Sequence, residues 1–186
     1  MLIRHADPER DAEACLAIYT PYVLSPVSFE DDPPSLEEFR ERIRSLSKSH
    51  AYLVAEHEGL IAGYVYAAPH RERSAYRWAT ETSVYLHADF HRQGLGRALY
   101  EALLGLLSAQ GYRLALAGIT IPNPGSVGLH SALGFEQIGV YEQVGWTAGA
   151  WRDVVWMGRQ LAATEDEHLC PAPPSAAARL PKPIKL

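Results

Sequence analysis

Residues 95–111 restrict what this chain can fold into more than any other stretch. Leu95, Ala98, Leu99, Ala102, Leu103 and Leu106 recur at the period of one helix face, and Gly111 supplies the stop. Residues 80–87, rich in strand formers, lie just upstream, and Arg92-Gln93-Gly94-Leu95-Gly96-Arg97 leads into the helix. A helix with one apolar face, entered from a strand, needs a sheet to cover, which predicts an α/β chain. Glycines at 94 and 96 remove side chains where the backbone must curl, and the first helical turn offers N–H groups with no internal acceptor. Such a junction suits a pyrophosphate. The helix dipole contributes only about 0.3 to 1 kcal/mol at an exposed site. Direct N–H bonds and the charges of Arg92 and Arg97 should therefore supply most of the grip. The junction lacks the Gly-Lys-Ser/Thr ending of a Walker loop and the spacing of the dinucleotide G-x-G-x-x-G fingerprint, which counts against ATP and NAD.

The other elements fall on either side of this junction. Residues 2–4 read as a short strand, and Asp7 can cap a helix with Pro8 at its first position and Ala12, Cys15, Leu16 and Tyr19 on one face. Ser35 and Glu38 have capping-box spacing, with an apolar stripe at Leu36, Phe39, Ile43 and Leu46. Residues 52–56 and 60–68, separated by a turn containing Gly59, predict an antiparallel hairpin. A buried strand is expected over 114–119 and a brief helix over 126–133, stopped by Gly134. Two last strands, over 136–144 and 151–160, flank a Gly-rich connection at 145–150. Together these elements read as one domain over residues 1–161. From Ala162 onward prolines and alanines replace the periodic pattern, so residues 162–186 are expected to form a tail lying on a surface or on a partner.

Composition narrows the partners. Seventeen Lys and Arg against 22 Asp and Glu leave a net charge of -5, which removes the broad electrostatic reason to expect nucleic acid or an anionic membrane. Any anion site must be local. A length of 186 residues at 47% hydrophobic content allows one substantial core. Cys15 and Cys170 lie far apart without metal spacing or a disulfide framework, so a reduced, cytoplasmic setting is expected. His70 and His87 have no spacing that argues for a metal and read as solvent-exposed. Residues 1–7 carry no apolar signal region, and no later run approaches the roughly 20 apolar residues of a membrane helix.

Trp78-Ala79-Thr80-Glu81-Thr82-Ser83-Val84-Tyr85-Leu86 and residues 123–135 are the most specific pieces beyond the junction itself. With them the chain resembles the GNAT superfamily of N-acyltransferases, and more narrowly the phosphinothricin acetyltransferase family, from Ile3 through Trp156. The resemblance implies a central mixed, mostly antiparallel twisted sheet flanked by helices, with acetyl-CoA bound where two central strands splay. It implies acetyl-CoA contacts from Val84, Tyr85, Leu86, Arg92, Gln93, Gly94, Leu95, Gly96 and Arg97, with Asn123 contributing from the next strand-helix connection. One position departs from the pattern: His91 occupies the first place of the superfamily's Q/R-x-x-G-x-G/A.

A protonated ammonium cannot attack a thioester, so an amine acetyltransferase needs a route for proton removal and a way to stabilise the leaving thiolate. Glu81 resembles the family's glutamate in the strand leading to the cofactor loop; its plainer reading is an outward-facing strand carboxylate. His130 follows Ser126 by four residues, where many GNAT members have tyrosine and phosphinothricin-type members histidine. An imidazole there could relay a proton from the amine or supply one to the sulfur, or be a packed histidine beneath the strand end. Direct transfer in a ternary complex is expected, because a covalent acetyl-enzyme needs an activated nucleophile and neither cysteine lies near the motif.

On the acceptor side the resemblance points to Arg73 and Tyr76, with Phe29 as a wall, while Arg71 reads as solvated. Arginines can fork onto carboxylate or phosphinate oxygens. The implied acceptors are small and amino-acid-like: phosphinothricin, methionine sulfoximine or methionine sulfone, with herbicide or antibiotic resistance as the consequence. Polyamine, aminoglycoside and protein amines are alternative acceptors, and a non-catalytic acyl-CoA-binding module is a further alternative. A cationic acceptor would want an acidic rim where Arg71 and Arg73 stand. The resemblance also implies a homodimer, to which the aromatic segment 141–156, with Trp146, Trp151 and Trp156, could contribute.

Overall fold

The computed structural model describes residues 1–161, 171–175, 180 and 182–186; Cys170 and parts of the expected tail lie outside the described residues. In chain order the elements are β1 (Leu2–His5), α1 (Pro8–Val23), α2 (Leu36–Leu46), β2 (Tyr52–His57), β3 (Leu60–Pro69) and β4 (Ala79–Leu86). They continue with α3 (Leu95–Gln110), β5 (Leu114–Ile121), α4 (Pro124–Ala132), β6 (Glu136–Thr147), β7 (Ala150–Gln160) and β8 (Ile184–Lys185). Local chemistry sets the helix starts. Asp7 accepts from the backbone N–H of Glu9 and Arg10, and Ser35 and Glu38 form both halves of a capping box.

All strands join one sheet in the order β6-β7-β5-β4-β3-β2-β1-β8. Every neighbouring pair is antiparallel except β4 with β5. That parallel pairing covers only Ala79↔Leu114, Thr80↔Ala115 and Glu81↔Leu116. Beyond it β4 stays with β3 as far as Gly63↔Leu86, while β5 stays with β7 as far as Ile121↔Asp153. The sheet is therefore forked at its centre.

Side-chain alternation along the strands supplies an apolar surface to each face. On one face Leu95, Leu99, Leu103 and Leu107 of α3 pack against Leu53, Val65 and Ala115. On the other, Ile18 of α1 and Phe39 and Ile43 of α2 pack against Tyr52, Val54 and Tyr64. Each fully buried leucine contributes about 1.5–3 kcal/mol relative to exposure, so these two layers hold the fork's arms in place.

One expectation needs correction. The connection at 145–150 is not a Gly-rich loop: β6 continues to Thr147 and β7 begins at Ala150. Ala148 (φ 49°) and Gly149 (φ 72°) make the turn, both in the left-handed region that a tight two-residue hairpin requires. The tail also gains structure of its own, because β8 adds to the sheet edge through Ile3↔Ile184. Ser175 N–H donates to the Gln110 carbonyl and Leu180 N–H to His5 Nε2, so the described parts of the tail lie on their own domain. Among the described residues no helix is long and apolar enough to cross a membrane.

Candidate active site

Where β4 and β5 part, their facing edges lose their strand-to-strand partners, and a cavity of about 560 Å³ opens between them. That volume lies in the range of small-molecule sites. The cavity is lined by residues 82–86 of β4 and 117–120 of β5, and it extends past residues 91, 92 and 94–97 and Asn123, Ser126 and His130 of the neighbouring segments. At the crotch Thr82 donates its hydroxyl to the Leu116 carbonyl, 3.0 Å away, which satisfies the last acceptor before the strands separate.

The glycine-pair junction forms one end. Arg92 (φ 57°) and Gly94 (φ 81°) both adopt left-handed backbone, and α3 starts directly after them without a side-chain cap. Ala98 N–H, bonded to the Gly94 carbonyl, makes the first helical bond; the N–H groups of residues 92–97 have no acceptor among the described residues. Left-handed backbone at residues 92 and 94, followed by the open first turn of α3, gathers unpaired N–H groups in one short stretch, which suits anionic oxygens. Arg92 and Arg97 flank it; Arg97 also pairs with Glu101 at 2.8 Å across one helical turn. Gln93 is tied back by its side-chain amide to the Asp89 carbonyl. His91 Nε2 lies 3.1 Å from the Tyr22 hydroxyl and 3.2 Å from the Leu86 carbonyl, so the unusual histidine braces the loop against α1. Asn123 caps α4 by accepting from Ser126 N–H, and it also lines the cavity.

His130 is 3% exposed, and both ring nitrogens are engaged. Nδ1 lies 2.8 Å from the Ser126 carbonyl, which can only accept, so that nitrogen carries the proton. Nε2 then accepts from the Tyr100 hydroxyl at 2.7 Å, and Tyr100 lies 3.3 Å from the Thr82 hydroxyl oxygen. Burial lowers the His130 pKa, with the Ser126 hydrogen bond opposing it, and burial pushes the Tyr100 hydroxyl up. Both groups are held neutral beside the cavity.

Glu81 occupies the last paired position of the fork. Alternation turns it away from Thr82, toward the sheet face that also bears Tyr85 and the α1 aromatics. Its Oε1 lies 2.8 Å from His70 Nδ1, and the ring of Tyr76 meets His70 edge-on at 5.7 Å. His70 is a correction: its side chain is only 15% exposed rather than solvated. The cause is register. Ala68 pairs with Glu81, so a residue two places beyond Ala68 is Glu81's diagonal neighbour on the same face.

Glu81, Gln93, Phe29, Arg73 and Tyr76 lie outside the cavity lining. Phe29 packs directly over Gly145, where an added Cβ would fall 2.7 Å from its ring. Arg73 and Arg71 are exposed. His70, Tyr100 and Thr82 are the residues that sequence reasoning missed; the period-2 run Tyr66, Ala68, His70 was the available signal for the first of them. Among the described residues no group of three His, Cys, Asp or Glu side chains could hold a metal ion.

A forked mixed sheet with an N–H cradle at the mouth of the fork defines an acyltransferase architecture, and residues 3–156 match the acetyltransferase (GNAT) domain. The chain belongs to the GNAT acetyltransferase family. Phosphinothricin N-acetyltransferase of Alcaligenes faecalis is 42% identical to it over 82% of this chain and 79% of the relative. L-methionine sulfoximine/L-methionine sulfone acetyltransferase of Salmonella typhimurium is 33% identical over 92% of this chain and 98% of the relative. The crystal structure of a GNAT superfamily phosphinothricin acetyltransferase from Sinorhizobium meliloti in complex with AcCoA matches with a TM-score of 0.83 at 35% identity, covering 91% of this chain and 95% of that one.

Proposed function

We propose that the chain transfers the acetyl group of acetyl-CoA to the amino group of a small amino-acid-like acceptor of the phosphinothricin, methionine sulfoximine or methionine sulfone type. The observation that carries this reading is the fork: an anion cradle stands at its mouth and a carboxylate at its closed end. The free N–H groups of residues 92–97, with Arg92 and Arg97, suit a diphosphate. The open edges of β4 and β5, lined by Val84, Tyr85 and Leu86 on one side, suit the amides of an extended pantetheine arm. When bound, acetyl-CoA supplies the thioester and its leaving thiolate.

Glu81 takes a proton from the acceptor ammonium, directly or through water, and the freed nitrogen lone pair attacks the thioester carbon. His130 assists at the sulfur side by holding the Tyr100 hydroxyl, which donates to its Nε2. As the amide forms the C–S bond breaks, CoA leaves as the thiolate, and the second proton of the attacking nitrogen passes to that sulfur or to water. Phe29, Arg73 and Tyr76 contact the acceptor from the face that Glu81 occupies. Because Glu81 and Tyr100 stand on opposite sheet faces, the two substrates can approach one reaction point together, which favours direct transfer in a ternary complex. Cys15 supports the same conclusion, since it is fully buried and burial raises its thiol pKa far from the reactive range. The exposed apolar residues of β6 support a homodimer.

The test is a CoA-release assay over amino-acid analogues, polyamines, aminoglycosides and peptides, with mass identification of the acetylated product. Acetylation of the amino-acid analogues is expected, and Glu81→Gln should lower turnover by about 10² to 10⁴. Turnover confined to cationic amines would overturn the acceptor assignment, and near-normal turnover of the Gln variant would remove Glu81 from the chemistry.

A further inference from the structure

We propose that His70 is a positioning residue for Glu81: its Nδ1–H fixes Oε1 of the carboxylate and leaves Oε2 as the oxygen that receives the acceptor's proton. The inference rests on the reading of Glu81 as the proton acceptor.

Three observations converge on it. The Nδ1 to Oε1 distance is 2.8 Å, and a carboxylate accepts, so Nδ1 carries the hydrogen. Neither Oε2 nor His70 Nε2 has a hydrogen-bond partner among the described residues. The imidazole is itself braced on two sides, edge-on to Tyr76 at 5.7 Å and to Trp156 of β7 at 5.8 Å. A half-buried ring thus restrains a more exposed carboxylate, the side chains being 15% and 37% accessible. Without that restraint Glu81 would rotate freely about its own side-chain bonds at a strand position that offers it no other hydrogen bond.

The proton balance follows from this arrangement. One N–H bond of the acceptor ammonium breaks and an O–H bond forms at Oε2, giving a neutral carboxylic acid and an amine with a lone pair. Nδ1–H remains donated to Oε1 throughout, and His70 changes no protonation state. Holding Oε1 in this way keeps the reacting oxygen in line with the incoming nitrogen, which is how an oriented partner contributes to a proton transfer. Tyr76 links the device to the acceptor side, because the ring expected to touch the acceptor is the one that packs on His70.

Two variants separate the N–H from the ring. His70→Phe keeps the aromatic packing and removes the donor; His70→Asn returns an amide N–H near the place of Nδ1 and gives up the ring. At saturating concentrations of both substrates His70→Phe should lower kcat by about 10- to 100-fold, the worth of a hydrogen bond to a charged group. His70→Asn should recover most of that loss, and calorimetry should find acetyl-CoA affinity unchanged in both. In a Glu81→Gln background the added His70→Phe change should cost less than about twofold, since the two residues act as a unit. Wild-type turnover in His70→Phe overturns the proposal, as does equal loss in the Phe and Asn variants, or a full further loss in the double variant. Near-normal turnover of Glu81→Gln would instead defeat the reading of Glu81 on which the proposal stands.

Discussion

His130 and His50 are two buried histidines whose neutral forms the fold selects. His50 is flanked by the Ser49 hydroxyl at 2.8 Å on Nδ1 and the Tyr112 hydroxyl at 2.9 Å on Nε2, and burial lowers its pKa. His130 is shifted the same way by burial. Both start from an ordinary value of 6.5. As pH falls through that value the unfolded chain binds protons first, so the stability gained from keeping these rings neutral is complete above 6.5 and is lost progressively below it. Each ring can add a slope of at most about 1.4 kcal/mol per pH unit. Thermal unfolding should therefore show a midpoint that is level near neutrality and falls as pH drops below 6.5, with a shallower fall in His130→Phe. Asp11 adds a separate loss at lower pH: burial raises its pKa, but the hydrogen bonds from Arg4 and from the Asp7 N–H, together with the charges of Arg4 and Arg10, outweigh that and hold it below 3.8. A midpoint that stays level from pH 7 to 5 would contradict the placement of the two histidines.

Among the elements, α3 and the β2–β3 hairpin were legible because each writes its own period. Leu95, Leu99 and Leu103 repeat at helical spacing, and Gly59 (φ 83°) sits at the turn the pattern demands. The end of β6 was not legible, because Gly145 looks like a loop residue and is a glycine for another reason: Phe29 lies where its side chain would be. The fork was not legible from periodicity at all. Val84 and Ile119 pattern as ordinary buried strand, and nothing local says that β4 and β5 stop pairing after Glu81 and Leu116. The fork was legible only through family resemblance. The β6 strand carries the element-scale prediction. It ends the sheet, and Ile138, Val144 and Trp146 on it are 61%, 50% and 58% exposed, more apolar surface than a free edge strand tolerates. Light scattering at micromolar concentration should give twice the 20.6 kDa chain mass. A stable monomer would leave that face unexplained and defeat the homodimer.

At the scale of the whole molecule the sheet separates two tasks. In the proposed reaction, one face and the mouth of the fork, built from α3 and the loop before it, hold acetyl-CoA with Tyr100 and His130 at its sulfur side, and the other face, with Glu81 and His70, takes the proton from the acceptor. The pairing of His70 with Glu81 illustrates why the second task was harder to read from the chain. The residues are 11 apart in sequence and meet only through the register of β3 on β4. Glu81 was visible alone, and its orienting partner became visible only in the fold. If the division holds, damage at one end should spare the other. Gly94 has open space around it, so Gly94→Val meets no neighbour and acts through its left-handed backbone, which a β-branched residue resists. The most direct measurement is calorimetric titration of acetyl-CoA into the wild-type protein, Gly94→Val and Glu81→Gln. The fork predicts that Gly94→Val weakens binding by about tenfold or more, from the loss of a few cradle N–H bonds to a charged group, while Glu81→Gln binds as the wild type does. Undiminished affinity in Gly94→Val, or equal weakening in both variants, would contradict it.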